Sequence, residues 1–168
     1  MRNGFAAALV AGAVGGGALQ ALVAVRNRAL GRPPPYAARH IARRLLGRVL
    51  HRDPGERAAR RWAWAMRAGY APLLGLAWSV AWPGVAGGPL VPRGLALGLG
   101  VLAFEHLAFP LLEATAPART WTGGEHAWLV AQTAVFGVAT EATLRALGAR
   151  KSAQGGLGGG ALRAKGLR

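Results

Sequence analysis

The chain alternates between long apolar runs and polar stretches, one of them crowded with arginine. Phe5 to Val25, FAAALVAGAVGGGALQALVAV, contains no charge and one amide, Gln20. At 1.5 Å per residue such a helix just crosses a hydrocarbon core of about 30 Å. The run exceeds the apolar core of a secretory signal peptide, about 7–15 residues, and no cleavage box with a polar mature start follows it. It therefore reads as a span. Residues 62–82, WAWAMRAGYAPLLGLAWSVAW, form a second apolar run with tryptophans at both ends, as at a membrane interface. A third covers 91–112 and a fourth, less apolar, 126–147. The short linker PGVAGGP at 83–89 predicts a tight antiparallel hairpin of the second and third spans.

The polar stretch between the first two runs has a pattern of its own. Residues 26–61 carry 11 arginines against two acids, Asp53 and Glu56. Three prolines at 33–35 end any helix arriving from the first span. Tyr36 to Leu50 then predicts a basic amphipathic helix. Ile41, Leu45, Leu46, Val49 and Leu50 fall on one side, with Arg39, Arg43, Arg44 and Arg48 largely on another. Such a helix can lie in the membrane interface with its arginines on anionic lipid headgroups. The predicted fold is all-α: an integral bundle of four transmembrane helices plus one interfacial helix, residues 1–147 forming a single membrane domain. Residues 148–168, rich in glycine and basic residues, lack the apolar content for a core and predict a disordered tail.

Composition agrees with the membrane reading: 52% of residues are hydrophobic and 16% charged, against about 25% charged in soluble domains. The formal charge of +15 invites a nucleic-acid reading. Arg outnumbers Lys by 19 to 2 in a chain dominated by Ala, Gly and Arg, so compositional bias explains the charge and it is discounted as a nucleic-acid signal. There is no cysteine, which excludes disulfides, zinc ribbons and thiol nucleophiles. Positive residues number 12 in the first and third loops and seven in the termini and second loop. That count favours a cytoplasmic first loop.

Ionisable groups inside a membrane are costly, and each raises a functional hypothesis. Arg67, Glu105 and His126 fall at similar depth in one leaflet, with His106 beside Glu105. They predict either an ion pair fixing helix register or a proton or solute relay. Glu141 and Arg145 form an ordinary i,i+4 pair, while Glu113 and Glu125 flank a loop and are read as solvated. No HxxxH or HExxH spacing supports a metal, no cofactor motif is present, and the two serines, Ser79 and Ser152, sit in no nucleophile constellation, so no catalytic residue is assigned. Gly12 with Gly16, and Gly94 with Gly98, form small-xxx-small faces suited to close helix packing. Such faces also admit a homo-oligomer or a membrane-protein partner.

The order of RPPPYAARH behind a glycine-rich span, WAWAMRAGYAPLLG at 62–75, FEHLAFP at 104–110 and EHAWLVAQTAVFGVATE at 125–141 resembles small bacterial inner-membrane proteins of the YagU-like type and related four-span families. The resemblance implies a multi-pass inner-membrane protein without an assigned activity, and draws attention to Glu105, Pro110 and His126. Three functions follow as expectations. The first is a non-enzymatic structural or accessory membrane protein with a lipid-contacting loop. The others are a small transporter using Arg67, Glu105 and His126, and a membrane-anchored binding module using the arginine-rich loop.

Overall fold

The computed structural model describes the backbone of residues 2–31, 38–51, 53–82 and 88–164. The proline cluster 33–35, Tyr36, the side chain of Arg39, most of the 83–89 linker and the side chains of the tail lie outside the described residues. The fold is all-helical, with no strand among the described residues. Among the described residues five helices run in order: α1 (Arg2–Leu30), α2 (Ala38–Leu50), α3 (Gly55–Ala81), α4 (Leu90–Leu111) and α5 (Gly123–Ala164). A single 3₁₀ turn, Ala118–Thr120, lies between α4 and α5.

Among the described residues three helices are long and apolar enough to cross a membrane: α1 over Gly4–Leu30, α4 over Leu90–Leu111, and α5 over Gly123–Gly148. The expected second span is not among them. Its helix begins at Gly55, seven residues earlier than the apolar pattern predicted, and so takes in Arg57, Arg60 and Arg61 besides the expected Arg67. The physical reason is local. Asp53 accepts the Gly55 backbone N–H at 3.1 Å, Glu56 sits in the first turn where the helix dipole favours an acid, and alanines and arginines propagate the helix readily. α5 likewise passes the expected boundary at 147 and continues through Ala164. Arg150, Lys151, Ala153 and Gln154 are good helix formers and no proline interrupts the stretch, but the glycines between 155 and 160 disfavour helix, so propensity accounts only for the first part of this extension.

Glycine sets the helix order. A Cβ on Gly12 would stand 2.3 Å from the Ala71 carbonyl oxygen and 2.8 Å from Pro72 Cα, and one on Gly75 would stand 2.6 Å from the Ala8 carbonyl oxygen. As α1 advances α3 retreats, so the two are antiparallel and in backbone contact. A Cβ on Gly94 would lie 2.6 Å from Val138 Cα, and one on Gly98 2.6 Å from the Thr133 carbonyl oxygen, which makes α4 and α5 antiparallel in the same way. Gly15 packs on Phe136 and Thr140, joining α1 to α5. The principal seams are α4 with α5, α1 with α5, α1 with α3, and α2 with α3. α3 and α4 share no extended seam, so they do not form the expected tight hairpin: the glycine-lined faces of α1 and α5 attract them separately. Between the seams sit small apolar clusters, Ala8 and Ala11 with Leu144, and Leu97 and Val101 with Phe136.

Candidate functional site

The most buried ionisable group is one the sequence assigned only a local role. Glu141 on α5 has no exposed surface. Its Oε1 lies 3.1 Å from Arg93 Nε on α4 and accepts from Arg145 Nε and Nη2, both at 3.1 Å. Its Oε2 accepts from the indole Nε1 of Trp78 on α3 at 3.1 Å. Arg145 also donates to the Gly88 carbonyl oxygen at 2.8 Å, and the Arg93 guanidinium lies 5.6 Å above the Trp82 ring. One carboxylate thus ties three helices and the entrance to α4 together. Taking such an ion out of water is unfavourable by several kcal/mol unless it is paired and hydrogen-bonded. Two guanidiniums and an indole meet that need. Oε1 is engaged by the guanidiniums and Oε2 by the indole, so Glu141 cross-links α3, α4 and α5.

The predicted cluster at the opposite end comes together only in part. His106 and His126 approach with ring centroids 5.7 Å apart, and Trp121 lies 5.5 Å from each, forming a triangle of rings. Both imidazoles are oriented in the same way: His106 Nδ1 donates to the Leu102 carbonyl oxygen at 3.1 Å and His126 Nδ1 to that of Thr122 at 3.0 Å. A carbonyl only accepts, so Nδ1 carries the proton in both rings. Trp121, nearly buried, donates its indole N–H to the Ala116 carbonyl oxygen at 3.1 Å.

Arg67 and Glu105 are not an ion pair: among the described residues the salt bridges involve neither. Arg67 stands on the exposed side of α3, three residues after the exposed Trp64. Glu105 instead neighbours Tyr70, whose ring stacks on Phe104 at 6.4 Å.

The arginine face of α2 also differs from the expectation of four headgroup contacts. Arg43 makes a two-point contact with Asp53, Nε to Oδ1 at 3.1 Å and Nη2 to Oδ2 at 2.5 Å. This hydrogen bond, helped by the Gly55 N–H, holds the Asp53 carboxyl below its ordinary pKa. Arg48 pairs with Glu113 and donates to the Leu112 carbonyl oxygen at 3.1 Å, so Glu113 is paired rather than merely solvated. The geometry explains why. α4 ends on Glu113 in a left-handed conformation (φ 49°), with Ala114 N–H bonding back to Phe109 at 2.8 Å, and a cation there satisfies a terminal carbonyl and the negative helix end. Arg44 remains exposed. Glu125 closes a capping box at the start of α5: Thr122 N–H donates to Glu125 Oε2 at 2.8 Å and Glu125 N–H to Thr122 Oγ1 at 3.3 Å.

Arg26, expected in the first loop, is instead a buried residue of α1, whose Nη1 donates to Asn27 Oδ1 at 3.3 Å. Among the described residues no group of three or more His, Asp or Glu side chains is placed to hold a metal. Compared with known proteins, the chain matches no family model, no curated protein and no solved structure.

Proposed function

We propose that the chain is a four-span integral membrane protein with a structural or accessory role, whose basic helix α2 rests on an anionic leaflet. The observation that carries this reading is an inverted distribution of polarity. Leu9, Val14, Leu73, Val80, Leu99, Phe104, Leu107 and Leu111 face outward, while Arg93, Gln132, Thr133, Thr140 and Glu141 are inside. Water would reverse that arrangement, whereas a bilayer favours it. The fourth crossing falls to α3, supported by its antiparallel seam along α1 and by its outward Leu73 and Val80. Arg67 then snorkels from its exposed position. Placement in a bacterial inner membrane rests on the motifs at 62–75, 104–110 and 125–141.

Topology reporters fused after residues 52, 86, 118 and 168 test the reading. Four crossings give alternating sides, with the fusion at 52 cytoplasmic by the arginine count. If the fusions at 52 and 86 report the same side, α3 does not cross.

The ring triangle of His106, His126 and Trp121, one residue from Glu105, favours a second reading as a proton- or solute-conducting bundle. Proteoliposomes carrying the wild-type chain would then show a flux that Glu105→Gln abolishes while its helix content is unchanged. The structural reading requires no flux from either.

A further inference from the structure

We propose that the cleft between α2 and the turn at residues 53–54 binds the phosphate of an anionic phospholipid headgroup, with Arg44 as the principal cation. The inference rests on the membrane reading above. The cleft is open, about 570 Å³, and is lined by His40, Arg43, Arg44 and Gly47 of α2, by Asp53 and Pro54, and by Ala116 at its far wall. His40, Arg44 and Gly47 recur at helical spacing and so form one strip of α2. Gly47 has no side chain to fill the groove beside Arg44.

The two arginines differ in kind. Arg43 is clamped to Asp53 by two contacts, which cancel its charge and fix its geometry as a wall of the cleft. Arg44 makes no ion pair among the described residues and stands exposed. Arg43, Arg44 and Asp53 therefore leave the cleft with one net positive charge, which matches the single negative charge of a phosphodiester. A guanidinium offers two parallel N–H donors to such a group, which a lysine cannot.

The position of the cleft favours a lipid over a dissolved anion. Arg48, one turn after Arg44, is fixed to the C-terminal end of α4, one of the membrane-length helices. That holds α2 at the level where the span meets the headgroups. At the end of the same helix Val49 is 75% exposed and Leu50 45% exposed, apolar surface suited to the acyl boundary beside the phosphate.

The test uses the full chain purified in an uncharged detergent. It is titrated with short-chain phosphatidylglycerol, short-chain phosphatidylcholine and inorganic phosphate, and binding is followed by phosphorus NMR. Saturable binding of phosphatidylglycerol is expected, weakened about tenfold by Arg44→Gln, the loss of one charge-assisted contact. Gly47→Leu fills the groove without changing charge and weakens binding comparably. Arg57→Gln removes the same charge on α3, outside the cleft, and changes little. Circular dichroism on each variant verifies that it is folded.

Equal weakening by Arg44→Gln and Arg57→Gln reduces the effect to bulk charge and overturns the proposal. So does full binding by Gly47→Leu, or inorganic phosphate or phosphatidylcholine binding as tightly as phosphatidylglycerol. A chain that needs detergent yet saturates with none of these probes sinks this inference alone. A chain soluble without detergent sinks the membrane reading as well.

Discussion

Replacing Glu141 with glutamine keeps its volume and removes the charge on which Arg93, Arg145 and Trp78 converge. Arg93 is 8% exposed, so its guanidinium cannot recover the loss from solvent. Removing one partner of a buried pair is unfavourable by about 3–5 kcal/mol. Arg145 keeps the Gly88 carbonyl and some solvent contact, which places Glu141→Gln at the lower end, about 3 kcal/mol. Arg145→Gln leaves Arg93 and Trp78 on the carboxylate and is worth about 1 kcal/mol. Arg93→Met removes the stranded cation, so the double variant with Glu141→Gln should recover about 2 kcal/mol relative to the sum of the singles. The assay is unfolding in mixed micelles by rising SDS fraction, read in the near-ultraviolet circular dichroism of Trp78 and Trp82, whose rings lie 5.3 Å apart. Far-ultraviolet dichroism separates loss of packing from loss of helix. A Glu141→Gln protein within about 0.5 kcal/mol of wild type, the range of ordinary surface changes, would refute the argument. So would strictly additive penalties.

The seams give a paired prediction: Gly137→Ala destabilises by about 1–3 kcal/mol or more, because its Cβ would stand 2.0 Å from the Gly94 carbonyl oxygen and 2.7 Å from Gly98 N. Gly100→Ala, with nothing within 4 Å, gains up to about 1 kcal/mol of helix propensity in the same assay, and equal effects at the two sites would show that the α4–α5 seam is not close-packed. Asp53 is held low by Arg43, so its contribution to docking α2 is complete above the ordinary carboxylate pKa of about 3.9 and fades as pH falls through the lowered value. A carboxyl NMR titration should place its midpoint below about 3.9, and Arg43→Gln should raise it; a midpoint unchanged by Arg43→Gln contradicts the clamp. Thr122→Ala removes the cap of α5 and should lower stability by about 1 kcal/mol while Thr120→Ala does not, which SDS unfolding compares directly.

What the sequence made legible were features carried by periodicity and small residues. The apolar runs mark α1, α4 and α5, and Gly12, Gly94 and Gly98 mark the seams because only glycine admits a neighbouring backbone there, with Gly16 making room for the Ala71 methyl. The capping box Thr122-Gly-Gly-Glu125 carries the right spacing but was missed: Glu125 was expected only as a solvated acid, and the structure puts it in the cap instead. The start of α3 was hidden because Arg57, Arg60 and Arg61 break the apolar pattern without breaking the helix. The Glu141 cross-link was half hidden. Arg145 is a neighbour in sequence, but Arg93 and Trp78 lie 48 and 63 residues away and meet the carboxylate only through tertiary packing. Depth would have exposed it: Arg93 near the start of α4, Trp78 near the end of α3 and Glu141 toward the far end of the membrane-length part of α5, Gly123–Gly148, all belong to the side of the second loop, as the antiparallel seams require.

The two ends of the bundle solve the same electrostatic problem in different ways. At the second-loop end the charge is interior, and one carboxylate neutralises part of two guanidiniums with an indole completing the shell. At the first-loop end the charge is exterior, and acids subtract from it: Asp53 claims Arg43 and Glu113 claims Arg48. The positive-inside rule counts basic residues whatever their partners, so these pairs leave the orientation argument untouched. They do change which side chains can meet a headgroup. An arginine already bidentate to a carboxylate offers little to a second anion, and an arginine spent on the end of α4 fixes the height of α2 rather than recruiting lipid. Of the α2 arginines whose side chains are described, that leaves Arg44. On the proposed reading, the described arginines of a stretch that looks in sequence like a diffuse basic surface act as two anchors, Arg43 and Arg48, and one headgroup contact, Arg44.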